Sequence, residues 1–267
     1  MASLLAPRVI ALLSFAFMLV MNVLATTLPL NGRQTNEISD TYDTLFAPIG
    51  FTFAIWGVIY LLLGVYTVVQ LVADSAVIRS ITPWFIAGNV LNGLWIIAWH
   101  YEQLVVSALI IIALLVALVR VNRVTTAERT TVGSTIAIRV PFAVYFGWVT
   151  VATVANISAM LVQLGLGEGF VGLSAEAWTI VILVVATLIG SAAALINASP
   201  SYALVLVWAY WGILSRHLAP GEWDSQYPGV VLAVWILLPL LGLVTAAAFI
   251  RWLRQPVIAW ATTRQGR

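Results

Sequence analysis

The sequence predicts an all-α, polytopic membrane helical bundle of eight transmembrane helices, and three observations carry that reading. Of 267 residues, 62% are apolar and 8% charged, against about 45–50% and about 25% in soluble domains. The mean hydropathy is +1.04. Eight windows approach the roughly 20 apolar residues that a helix needs to cross a hydrocarbon core, each without a charge in its central turns. A water-soluble globule needs a polar surface that this chain cannot supply, which excludes a soluble enzyme, a nucleic-acid binder and a disordered chain.

The windows fall at roughly 9–29, 50–70, 82–100, 103–120, 139–162, 177–197, 201–216 and 229–250. The first follows Arg8 and resembles a signal peptide, but the run is long, Asn22 interrupts it, and no A-x-A site precedes the polar loop. It is therefore read as a retained span. In the second, Gly57 and Gly64 allow close helix approach. Pro83 marks the start of the third, since proline suits a first helical turn. The fourth is short but uninterrupted between Gln103 and Arg120, and the fifth and sixth are secure by length. The seventh is the weakest, with 14 residues before Ser215 and Arg216. Pro200 supports a fresh helix start there, Pro228 one at the eighth, and Pro256 follows the last span. Short alternating segments, the mark of a membrane β-barrel, are absent.

All twelve basic residues are arginine. With eight spans, ten of them (8, 79, 120, 123, 129, 139, 251, 254, 264 and 267) share one side, and only Arg33 and Arg216 face the other. That bias predicts cytoplasmic termini. It also supports the span count, because deleting a middle span would scramble the arginines. There is no cysteine, and two histidines, His100 and His217, make no multi-histidine metal centre. No Walker A, dinucleotide, HExxH or GxSxG motif occurs, and no span buries the charge expected of an ion-coupled pump.

Chemistry must then be sought in amides, hydroxyls and indoles. In span 3, Asn89, Asn92, Trp95 and Trp99 share one helical face, as do Tyr145, Trp148, Ala152 and Asn156 in span 5. Trp56 and Tyr60 stand one turn apart in span 2. Such groups must point into the bundle, because an unpaired polar group in lipid costs several kcal/mol. They can line an aromatic cavity for a flat apolar ligand, or act as interhelical glue at about 0.6–2 kcal/mol per contact. Composition leaves both open for spans 2, 3 and 5. For Asn22, which has no aromatic stripe, glue is favoured. Trp84, Tyr101, Trp178, Tyr202, Trp223 and Tyr227 fit interfacial belts, and Trp252 with Trp260 suggests a tail at the membrane surface. Trp208, Tyr210 and Trp211 remain unassigned. The connector 121–138 offers arginines to anionic lipid. The loop 30–47 reads as a folded cap rather than a catalytic loop. Asp40 and Asp43 can share a short helical face, but no nucleophile or metal constellation accompanies them.

The motifs are similar to those of the TspO/MBR family, the tryptophan-rich sensory proteins related to the mitochondrial translocator protein. Pro48, Trp56, Gly57, Tyr60 and Gly64 resemble its span 2 pattern, and Leu91, Asn92 and Trp95 its L-N-x-x-W. Tyr145, Trp148, Ala155 and Asn156 resemble its Y-x-x-W followed by a distal Asn. Gly50, Ala54 and Val144 depart from the family's Trp, Pro and Pro, and the 30–47 loop is unlike its shorter lid. The motifs cover about the first 165 residues. The resemblance implies a five-helix ligand-binding bundle at 1–165, followed by a three-helix extension with a short cytoplasmic tail at 166–267. It implies a pocket lined or braced by Trp56, Tyr60, Asn92, Trp95, Tyr145, Trp148 and Asn156.

The expectation is a receptor or sensor, in a bacterial inner membrane, for a small hydrophobic ligand, with a porphyrin or other tetrapyrrole as a candidate. The alternative is a carrier of a neutral or amphipathic solute. An enzymatic role for Tyr60 or Tyr145 in ligand breakdown has no independent support. Membrane lipid, the ligand and a second copy in a homodimer are the expected partners.

Overall fold

The computed structural model describes residues 2–28, 30–127, 132–167, 169–170 and 172–255. A long helix occupies each of the eight windows: α1 (Ala2–Thr27), α3 (Ile55–Val72), α4 (Ala76–His100), α5 (Leu104–Ala127), α7 (Val140–Gln163), α8 (Ala175–Ile196), α9 (Pro200–Leu218) and α10 (Pro228–Leu253). Between them lie a short α2 (Thr35–Thr41), a one-turn α6 (Val132–Ser134), and a minimal antiparallel pair, β1 (Gly169–Phe170) with β2 (Leu173–Ser174). Pro256, Trp260, Arg264, Arg267, Arg129 and Glu168 lie outside the described residues.

Local chemistry sets the helix ends. Ser75 Oγ accepts the Ile78 N–H at 3.1 Å, and Ser174 Oγ accepts the Ala177 N–H at 3.2 Å, each satisfying one orphan first-turn donor. Proline occupies the first turn of α7, α9 and α10. The start assigned to Pro83 is corrected: α4 begins at Ala76 and carries Pro83 inside it. Apolarity marks where a helix enters hydrocarbon, whereas Ser75 decides where it begins.

Seven helices are long and apolar enough to cross a membrane, all except α9. The expected count of eight is thus met in helices but not in apolar length. α9 closes on Ser215, Arg216 and His217. It is also heavily buried, with Tyr202, Ala209, Tyr210, Ile213 and His217 at or below 2% exposure. Most of its side chains meet protein, although Leu204 and Trp211 stay exposed, so the pressure for apolarity is relaxed.

The helices pack in two groups. α1, α4, α5, α7 and α3 form a closed ring, each touching the next and α3 returning to α1. α8, α10 and α9 form a second group that docks on the ring through α9 against α7. Outward faces carry Leu61, Leu109, Leu188 and Leu243, all exposed and suited to lipid.

Glycine allows the two groups to meet. A Cβ on Gly147 would stand 3.0 Å from Val205 Cβ and 3.1 Å from the Tyr202 carbonyl oxygen. A Cβ on Gly212 would collide with Thr52 Oγ1 and lie 3.0 Å from Pro48 Cβ. At that second contact the Ile49 N–H donates to the Gly212 carbonyl at 3.1 Å, and Trp208 Nε1 donates to the Thr52 carbonyl at 2.9 Å. Gly212→Ala should therefore lower stability by about 1–3 kcal/mol. Thermal unfolding of the purified protein in detergent checks this, and a midpoint equal to wild type would refute the close approach.

Candidate functional site

The seven residues singled out from the sequence converge in the five-helix ring. Trp56 is the hub. Its ring lies 5.8 Å from Tyr60, 5.7 Å from Trp95, 6.1 Å from Tyr145 and 6.2 Å from Trp148. The first pair is stacked at 18° and the last is edge-on at 87°, both favourable for aromatic quadrupoles. Trp95 stacks in turn on Trp99, and Phe53 meets Trp148 edge-on at 5.9 Å.

The amides bind this cluster to its neighbours. Asn22 donates to Asn92 Oδ1 at 2.7 Å, and Asn92 donates to the Tyr145 hydroxyl at 2.9 Å. Trp95 Nε1 donates to Asn156 Oδ1 at 2.9 Å, and the Asn156 amide donates to Ser107 Oγ at 2.9 Å. One polar chain therefore crosses α1, α4 and α7, and another crosses α4, α7 and α5. Both are buried, with Asn92 at 0% and Asn156 at 1% exposure. Asn22 is interhelical glue, as its isolation suggested. Asn89 bonds Ser14 in the same manner at 3.1 Å.

Between Trp56, Trp95, Trp99 and Trp148 a cavity of about 30 Å³ remains, room for about one water-sized guest. Ala152, Ala155 and Val151 leave this space on the α7 side, while Thr35 and Ser39 close it from the cap. Trp148 Nε1 is buried and has no hydrogen-bond partner among the described residues. Amide glue and aromatic chamber thus coexist: Asn92 and Asn156 are engaged as braces, while the indoles, Trp148 with its unpaired N–H among them, surround a small void.

The loop over this chamber is a folded cap. Trp99 Nε1 donates to the Thr35 carbonyl at 3.2 Å. His100 Nδ1 faces the Leu30 carbonyl at 3.1 Å and so carries the proton, leaving Nε2 to accept from Thr35 Oγ1 at 3.0 Å. The Tyr42 hydroxyl donates to Glu102 at 2.8 Å, and Arg33 pairs with Glu102 at 3.4 Å. On the other flank Arg216, 3% exposed, holds Asp40 at 3.2 Å, Glu222 at 3.1 Å and Asp43 at 3.8 Å. Its guanidinium also lies 5.6 Å over the Trp223 ring. His217 Nε2 donates to the Leu45 carbonyl at 2.9 Å. Burial raises the Asp40 carboxyl above its ordinary range; Arg216 opposes this, while Glu222, Asp43 and Glu37 reinforce it.

Sequence reasoning missed two features. Thr35 and Ser39 complete the chamber from a loop with no periodic signal. A cleft of about 370 Å³ also opens beside the cap, between Thr44–Phe46, Leu161, Trp178 and Ile182. It and the chamber share the cap segment and successive turns of α7, at Ala155 and Ser158. The belt assignment of Tyr202 is corrected: Tyr202 is 2% exposed and packs on Phe146 at 4.9 Å. Trp223 is half-buried, stacked on His217 and edge-on to Tyr227. Of the span 7 aromatics, Trp208 holds Thr52 and Tyr210 donates to the Leu183 carbonyl at 2.7 Å, whereas Trp211 is exposed.

A family model described as TSPO-like protein matches residues 8–248. The match runs past residue 165, where the recognisable motifs stop, and so takes in α8, α9 and most of α10. No curated protein and no solved structure matches.

The cap supplies a pH readout. Burial, the hydrogen bond to Glu102 and that carboxylate's charge push the Tyr42 phenol from 10.0 up to about 12, against weaker opposing effects of Gln163 and Arg33. A raised folded-state value means that the stabilising proton is held below pH about 10 and lost as pH climbs towards about 12. The phenolate absorbance of wild type minus Tyr42→Phe should titrate near 12. A midpoint at the ordinary tyrosine value would show that Tyr42 is neither buried nor bonded to Glu102 as described.

Proposed function

Because the chain belongs to the TSPO-like protein family, we propose that this integral membrane protein is a receptor or sensor for a small, flat, hydrophobic ligand, with a tetrapyrrole as the leading candidate. The supporting observation is the hub itself: four rings from three helices surround Trp56 beneath a removable cap, beside one unengaged indole N–H.

The void of about 30 Å³ is far below the roughly 300–1,000 Å³ of ordinary ligand pockets. Ligand entry must therefore separate Trp56 and Trp99 from Trp148 and lift Thr35 and Ser39. The adjoining cleft of about 370 Å³ supplies the volume once the cap segment moves. Binding that displaces the cap is suited to sensing, because occupancy and cap position become one equilibrium. Discontinuous helices at midplane would favour a carrier; α3, α4, α5 and α7 run unbroken beside the hub. On this reading α9 is the eighth crossing: its start lies at the level of Arg139 and its end at the cap. Its 19 residues reach about 28 Å at 1.5 Å per residue. Both termini then face the cytoplasm.

Two measurements test the proposal. Titration with protoporphyrin, followed by tryptophan quenching in detergent, should give saturable binding weakened about tenfold or more in Trp56→Ala, a loss of about 1.4 kcal/mol. Trp148→Phe, which keeps an aromatic ring but removes the N–H and the second ring of the indole, should weaken it less. Folded variants that bind like wild type would defeat the chamber. Arg216→Gln leaves Asp40, Asp43 and Glu222 mutually repelling and should speed ligand association several-fold by loosening the cap. An unchanged association rate would show that the cap does not gate entry.

A further inference from the structure

At the end of the bundle opposite the cap, Arg139 closes a π-helical turn over Thr135–Arg139 that leads into α7. The side chain is 5% exposed. Its guanidinium donates to the Asn197 carbonyl, to the Ala198 carbonyl at 3.1 Å and to Gln255 Oε1 at 2.9 Å. All three acceptors are neutral, and no ion pair to Arg139 exists among the described residues. A guanidinium has five N–H donors, so two remain after these bonds.

The backbone does not cancel the charge. Asn197 and Ala198 close the C-terminus of α8, worth about −0.5 of an elementary charge, but α9 begins immediately after and contributes about +0.5. Ser199, the residue before α9, makes no side-chain cap, and Pro200 has no N–H to offer, so the first-turn donors that face a guest are those of the residues after it. Among the described residues no carboxylate offsets the guanidinium, so the corner they form carries close to one full positive charge. A staple between carbonyls accounts for the position of Arg139 and leaves that charge unmatched by any of them.

Arg139 and the uncapped start of α9 border one cavity of about 280 Å³. Ser199, Ser201 and Leu204 line it from the start of α9, together with Ile136, Phe249 and Trp252. The volume equals roughly nine waters at about 30 Å³ each, too much for a bare phosphate and suited to a headgroup with the first methylenes of its chains. The apolar wall at a membrane boundary fits those chains, and the arginine-rich side is where anionic lipid is attracted. The geometry points to an anionic phospholipid site: the phosphate sits between Arg139 and the first turn of α9, and its acyl chains run along Leu204, Phe249 and Trp252.

The test uses the full-length protein in nanodiscs of phosphatidylcholine containing a minority of phosphatidylglycerol, followed by native mass spectrometry of the retained lipid. Wild type should retain one phosphatidylglycerol about fivefold to tenfold above its bulk share. Arg139→Lys should keep most of that preference, and Arg139→Gln should abolish it. If Arg139→Gln does not fold, Leu204→Trp fills the cavity without touching the guanidinium and should also abolish retention. Equal enrichment in wild type and either folded loss variant would overturn the proposal. Displacement of the retained lipid by millimolar inorganic phosphate would also overturn it, assigning the corner to the free anion.

Discussion

A polar side chain inside hydrocarbon has no water to turn to, and the bundle is organised around that constraint. Asn22, Asn92, Tyr145, Trp95, Asn156 and Ser107 satisfy one another across four helices. Each such bond is modest on its own, at about 0.6 kcal/mol on average between membrane helices. Their value lies in register: a helix rotated out of place would leave an amide stranded in lipid at several kcal/mol. The same bonds hold Tyr145 and Trp95 against Trp56, so the aromatic hub is a by-product of polar pairing one turn away.

The cap obeys different rules because water reaches it. Arg216 is buried while its carboxylates are partly exposed, Asp43 at 75%. Desolvation dominates at Asp40 despite the nearby cation, as expected where burying an ion costs more than its partner returns. The cap is accordingly a set of specific contacts rather than a deep energetic seal. Its hydrogen bonds fall on the ends of α4, α7 and α9, so lifting the loop breaks contacts with all three helices.

The bundle was legible because hydrocarbon imposes a long, simple pattern on sequence. The inward faces were legible too, since Asn89, Asn92, Trp95 and Trp99 at steps of three and four can share only one side of a helix. What escaped notice came from the loops and from packing. Thr35 and Ser39 roof the chamber from a stretch without periodicity, and Tyr202 looked interfacial because only its distance from a span end was visible. The size of the void could not be read at all. It depends on Ala152 and Ala155 facing the indoles, a matter of ångströms between helices. The start of α4 was misplaced for a simpler reason, namely that Ser75 outranks Pro83 as a terminus.

α9 has a bearing on how the chain is made. Alone among the long helices it falls short in apolarity, and it ends in Arg216 and His217. Residues of that kind raise the cost of partitioning from the translocon into lipid. Its neighbours α8 and α10 are strongly apolar, and three residues separate α8 from α9. On the eight-crossing reading proposed above, α9 would enter the bilayer as part of a hairpin, its polar groups already sheltered, instead of as a solitary segment released in turn.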